Sequence, residues 1–323
     1  GEDIIVPAYA TLQTEAAELE TAIGEYCAKV AGGDLSAVQT SWQEAMLAWQ
    51  RAEIVWFGPI EPVRDRLQSF QLTEDNDDVV PNLNTVLNGT QPITEAFIAG
   101  RPVGAQGFPA LEYLLFELQG FDDPTAGVRR CETAVAVSQN VATITEGLAS
   151  DWGAAGQLLA DFTSGSGSFA DNTEVLTEVL NSIAVETEFV ADAKLLTPLN
   201  APGNNETFTE SFRSQLSLQS LRANTATIRL WLEGGSADTD YGILDYLRRA
   251  PDADAIATQL EDQLEDAEMN LTAQSETLET ILAGANPDAV RPANDAFQLL
   301  ANTFLDAAVA ADVTIAFTNR DGD

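Results

Sequence analysis

Apolar residues recur at spacings of three and four along most of the chain, the period at which side chains of an α-helix return to one face. Leu12, Ala16, Leu19, Ile23, Tyr26/Cys27 and Val30 form one such stripe. They predict a first helix that opens near Asp3 and Pro7 and stops at Gly32-Gly33. Asp34 or Ser36 can cap a second helix carrying Trp42, Met46, Trp49 and Glu53, which has to end at Gly58-Pro59. A third is expected over 82–98, closed by Gly100-Arg101-Pro102. The stretch 107–116 then reads as a short helix with Pro109 in its first turn, where the missing N–H costs no hydrogen bond. A long helix follows, with Cys131, Ala134, Ser138, Val141, Thr145, Leu148 and Trp152 on its stripe.

Beyond the run Ser164-Gly165-Ser166-Gly167-Ser168, which reads as a flexible connector, helical spacing resumes at 169–196, 206–232, 252–283 and 286–317. The last pair is the clearest: Leu260, Leu264, Ala267 and Leu271 on one, Ala293, Phe297, Leu300, Phe304 and Ala308 on the other. No segment alternates as a strand would. The pattern predicts an all-α protein of two antiparallel four-helix-bundle-like domains, residues 1–163 and 164–323. Trp42, Trp49, Trp56 and Phe57 read as core packing rather than a ligand box. A faint echo links Leu111-Glu112-Tyr113-Leu114 to Leu244-Asp245-Tyr246-Leu247, each preceded by a glycine and followed by a long helix.

The acidic excess, 51 Asp and Glu against 15 Lys and Arg for a net −36, weighs against nucleic acid and anionic membrane surfaces as partners. No run approaches the roughly 20 apolar residues of a membrane-spanning helix. Because the chain contains no histidine, Ser-His-Asp and Cys-His nucleophile systems, HExxH zinc sites and His-ligated haem are ruled out. The acidic patch Glu74-Asp75-Asn76-Asp77-Asp78 lacks the alternating ligands, central glycine and closing glutamate of an EF-hand loop and reads as a solvated loop. Cys27 and Cys131 are either two separately buried thiols or a disulfide between the first and last helices of the first bundle. A bridge would close about a hundred residues, worth up to ~4–5 kcal/mol, and would imply an oxidising compartment.

Gly107-Phe108-Pro109-Ala110-Leu111-Glu112, followed by Tyr113-Leu114-Leu115-Phe116, resembles the G-x-H-x-x-E signature of the imelysin family of bacterial exported proteins. The likeness extends over nearly the whole chain in the family's order. It takes in Trp49-Gln50-Arg51-Ala52-Glu53 with Phe57-Gly58-Pro59-Ile60, Arg129-Arg130-Cys131, Asp192-Ala193-Lys194-Leu195, the serine-rich Ser211-Phe212-Arg213-Ser214 to Ser217-Leu218, and Ala316-Phe317 to Asp321-Gly322-Asp323. The resemblance implies two helical bundles with a site between them near the motif. It also implies export to the periplasm or outer envelope, as a free or lipid-anchored protein, and an association with iron-regulated uptake. The Cys27/Cys131 pair fits the family pattern.

Members have been classed as peptidases, with the motif histidine and glutamate as metal ligands. Pro109 stands at the histidine position here, so that nitrogen donor is missing; Gly107 and Glu112 match. Zinc and most first-row metals lose their preferred ligand. Iron or another hard cation held in part by Glu112 is the remaining cofactor candidate. The leading expectation is a non-enzymatic protein that binds a small ligand, or an envelope iron-uptake partner, through Glu112, Tyr113, Arg213 and Asp321. A metal-dependent or carboxylate-based peptidase, in which burial splits the pKa values of paired carboxyls, is the rival. A scaffold with a degenerate site is the third reading.

Overall fold

The computed structural model describes residues 1–323 except 30–32, 69–77, 118–120, 122, 124–125, 155, 202, 204, 236–240 and 316–323. The first half contains α1 (Ile5–Ala28), α2 (Leu35–Ala52), α3 (Arg64–Leu67), α4 (Val79–Leu87), α5 (Glu95–Ala99), α6 (Gly107–Glu112), α7 (Ala126–Trp152) and α8 (Gln157–Ser164). In the second are α9 (Asn172–Phe189), α10 (Thr197–Asn200), α11 (Ser217–Glu233), α12 (Ile243–Arg249), α13 (Asp254–Thr272), α14 (Leu278–Ala283) and α15 (Arg291–Ala310). No strand occurs among the described residues, so the all-α expectation holds.

The long helices bury the stripes read from the sequence: Leu12, Ala16, Leu19 and Ile23 on α1, Leu260, Leu264, Ala267 and Leu271 on α13, and Phe297, Leu300 and Phe304 on α15. In the first half α1 packs against α2 and α7, and a Cys27–Cys131 disulfide ties the end of α1 to the start of α7. In the second, α15 packs against α13 and α9. The halves meet where α11 lies on α2. Trp42 and Trp49 are buried core residues, as expected, whereas Trp56 turns to polar partners.

Several segments depart from the pattern, among them the helix expected over 252–283, which is broken between α13 and α14. The helix expected over 82–98 is broken between α4 and α5, because Gly89 and Pro92 disfavour helix there. The Arg129 guanidinium takes up the freed carbonyls of Val86 (2.8 Å), Leu87 (3.1 Å) and Gln91 (3.2 Å). The helix expected from 206 begins only at Ser217. Upstream, Thr209 and Ser214 hydroxyls bond to the carbonyls of Glu206 and Ser211 and the Ser217 hydroxyl accepts from Ser211 N–H, an alternative to the helical ladder. A π-helical turn over Val190–Leu196 follows α9. The Gly/Ser run is not a loose connector: Gly165 closes α8 in the left-handed conformation, and Ser168 N–H and Oγ both bond to Asp161 Oδ2 at 2.9 Å. Phe162 and Phe169 on either side of it pack on Phe57.

Candidate functional site

Helix α6 places the motif residues, and Gly107 makes its position possible. Its φ of +70° is one that side-chain-bearing residues rarely adopt, and a Cβ there would collide with the Leu67 and Arg66 carbonyls. Trp42 Nε1 on α2 donates to Phe108 O at 3.1 Å and fixes the opening of α6. The chain continues from α6 into a π-helical turn over Tyr113–Glu117, where the Leu115 carbonyl accepts from Gln39 Nε2 at 2.7 Å. Pro109 is half-buried and presents no donor or acceptor side chain.

Glu112, 2% exposed, faces the second half of the chain. Its Oε1 accepts from Ser214 N–H at 2.9 Å and Ser214 Oγ at 2.7 Å. Burial pushes its carboxyl up to about 7. The Ser214 donors and the Arg213 guanidinium oppose the rise, and the Glu279 carboxyl adds to it. Glu279, on α14, is itself raised by burial and accepts from Thr209 Oγ1 at 2.9 Å. Arg213 pairs with Glu117, and its guanidinium carbon lies 5.3 Å from the Tyr113 ring centre and 4.2 Å from that of Phe212. Two buried carboxyls, a stacked arginine and a tyrosine thus converge on the segment 209–217.

A second buried cluster adjoins that segment. Lys194 Nζ, carried inward by the π-helical turn after α9, donates to Glu53 Oε1, to Gln50 Oε1 at 2.7 Å and to Asn224 Oδ1 at 3.0 Å, and lies 3.2 Å from Glu210 Oε1. Glu210 Oε1 also accepts from Gln68 Nε2 at 2.6 Å and Gln50 Nε2 at 3.2 Å. Nearby, Glu186 Oε2 accepts from Trp56 Nε1 at 3.1 Å, and the Arg64 guanidinium carbon sits 3.6 Å from a Trp56 ring centre. Burial lifts both Glu186 and Glu210. Burial also works against the Lys194 ammonium, but Glu210, Glu53 and Glu186 together outweigh it and hold the lysine charged.

Of the residues singled out in the sequence, Glu112, Tyr113 and Arg213 come together, while Asp321 lies outside the described residues. The acidic patch at 74–77 also lies outside them. Sequence reasoning passed over Glu210, Glu279 and the role of Lys194. The available signal was that Lys194, one of only two lysines, sits between Ala193 and Leu195 on a helix face that must be buried. Among the described residues no group of three or more Asp, Glu or Cys is placed to hold a metal ion. With no histidine in the chain and Pro109 at the motif position, the site lacks the nitrogen ligand that zinc and most first-row metals prefer.

A profile described as imelysin matches residues 5–310. The chain belongs to the imelysin family. Its likeness to individual relatives is more distant. It is 25% identical over 289 residues to iron-regulated protein A of Synechococcus elongatus, covering 87% of this chain and 76% of that protein. A solved structure from Parabacteroides distasonis, named for an iron-regulated protein A precursor, superposes with a TM-score of 0.79 at 16% identity, over 95% of this chain and 92% of its own. An imelysin-like protein from Psychrobacter arcticum gives 0.78 at 19% identity, over 97% and 93%. At such identities the two structures establish the shared fold, which in this imelysin-family chain carries a proline in the signature. No helix among the described residues is long and apolar enough to cross a membrane.

Proposed function

We propose that this chain is an exported, non-enzymatic binding protein in an iron-uptake setting, with its site around Glu112 between two helical bundles, residues 1–163 and 164–323. The observation that carries the reading is Glu112 itself. It is a buried carboxyl held across the two halves by Ser214, raised by burial and by Glu279, and without a cation bonded directly to it among the described residues. Such a group can receive a ligand or partner that brings positive charge or hydrogen-bond donors. The disulfide and the iron-regulated relative support the setting: a bridge of this kind persists in an oxidising compartment such as the periplasm.

The test is ligand-induced stabilisation. Wild type and Glu112→Gln are melted with Fe²⁺, ferric citrate, Ca²⁺, Zn²⁺ and haem. At a hundredfold excess over Kd, a specific ligand stabilises by about 2.7 kcal/mol, and the variant loses most of that gain. If no ligand shifts wild type, or if the shift is the same in both proteins, the reading is wrong. The peptidase alternative draws on one feature, the two raised carboxyls Glu112 and Glu279. Cleavage of unfolded casein between pH 4 and 7, lost in Glu112→Gln, would favour it over binding.

A further inference from the structure

The segment 209–217 has little backbone bonding of its own. Thr209 N–H reaches Glu206 O at 3.4 Å and Leu216 N–H reaches Ser211 O at 3.3 Å, and Gln215 is held at a φ of +57° that non-glycine residues rarely adopt. The segment is located instead by its side chains, each fastened to a different neighbour. Thr209 bonds to Glu279, Arg213 pairs with Glu117, and Ser214 bonds to Glu112. Glu210 makes the most connected of these ties. Its one oxygen Oε1 meets Lys194 on its own half of the chain, and Gln50 and Gln68 on the other half.

Charge balance alone does not account for that arrangement. Lys194 already has the Glu53 carboxylate as a direct partner, together with the Gln50 and Asn224 side-chain oxygens. The two glutamine amides on Glu210 do not neutralise it; they fix where it sits. Four residues span at most about 14 Å of chain, so fixing Glu210 restricts where Ser214 can lie.

We propose that Glu210 is a positioning residue for Glu112: anchored by Lys194, Gln50 and Gln68, it holds the segment so that both Ser214 donors stay on Glu112 Oε1. This rests on Glu112 as the centre of the proposed site, but it is a statement about coupling within the fold. The groups acting on Glu112 are Ser214, Arg213 and Glu279, all on segments beside it in space. Of these, Ser214 and Arg213 both lie on the segment that the Glu210 anchor holds, and losing either raises the Glu112 pKa.

The two roles open to Glu210 predict shifts of opposite sign. Removing a nearby negative charge lowers the pKa of Glu112, whereas losing the Ser214 donors raises it. The experiment follows the side-chain carboxyl carbon of Glu112 by NMR through a pH titration of full-length protein labelled with ¹³C-glutamate, the signal being assigned with Glu112→Gln. Ser214→Ala raises the Glu112 pKa by about one unit, and Glu210→Ala reproduces most of that rise. Glu210→Gln, which keeps an acceptor oxygen for Gln68 and Lys194, returns it toward wild type. Glu186→Gln, in the same buried cluster but outside the segment, leaves it within a few tenths of a unit.

Gln68→Ala supplies a readout should Glu210→Ala fail to fold, because it removes one tie without altering charge; it too raises the Glu112 pKa. An unchanged or lowered Glu112 pKa in Glu210→Ala, or in Gln68→Ala where the former does not fold, overturns the proposal. So does a shift in Glu210→Gln as large as that in Ser214→Ala. Since no ligand is involved, the ligand-binding reading can fail while this coupling stands, and the reverse.

Discussion

At Glu112, burial and hydrogen bonding pull in opposite directions, and burial wins. Its carboxyl is raised to about 7 from an ordinary value of 4.5. Between those two pH values the native protein binds more protons than the unfolded chain, so this group lowers stability as pH rises from 4.5 to 7 and has no further effect above that. The full difference is roughly 3 kcal/mol. Glu112→Gln cannot ionise and removes this slope. Urea unfolding at pH 5 and pH 7.5 is therefore expected to show wild type losing about 2–3 kcal/mol more than the variant between the two conditions. Glu186 and Glu210 are displaced in the same direction and remain in both proteins, so they cancel in the comparison, and the difference reports Glu112 together with its coupling to Glu279. Parallel pH profiles would show that the carboxyl is not held as described.

Among the elements, α6 depends on its first residue. Gly107 is left-handed and lies against the Leu67 and Arg66 backbone, so Gly107→Ala combines a backbone cost of about 1–2 kcal/mol with a collision that no side-chain rotation relieves. A loss of at least ~2 kcal/mol in chemical denaturation is expected; a loss below 0.5 kcal/mol would show that α6 can move away from Leu67 freely. The glycine was visible in the sequence as a motif residue, but the φ and the neighbouring carbonyls that require it were not. The same contrast runs through the other elements. The stripes of α1, α7, α13 and α15 were legible because three-and-four spacing reports directly on a buried face. The segment 209–217 was read as helix as part of the helical spacing over 206–232, while the hydroxyls that compete with the helical ladder act through local bonds that periodicity does not see. Glu210 and Glu279 could not be picked from 51 acidic residues, since what distinguishes them is burial beside partners distant in sequence.

Over the whole molecule, a chain with a net charge of −36 keeps one of its two lysines among buried carboxyls where its two halves meet. Lys194 offsets Glu53, Glu210 and Glu186, with Arg64 beside Trp56 as the other buried cation of the cluster. Replacing both members of a buried ion pair by apolar groups can be close to neutral, but removing one member leaves charge without compensation. Lys194→Met fills a similar volume and removes the only ammonium in direct contact with these carboxylates among the described residues. The expected loss is about 3–5 kcal/mol. Its dependence on pH separates an electrostatic origin from a packing one. Without Lys194 the neighbouring carboxyls are driven further toward their protonated forms, so the variant tolerates pH 6, where they can hold protons, better than pH 9, where they cannot. Urea unfolding at both values would show the gap from wild type widening at pH 9. A gap that is constant, or below 1 kcal/mol at both, would mean that the halves are held by the packing of α11 on α2 and that the buried charges contribute little.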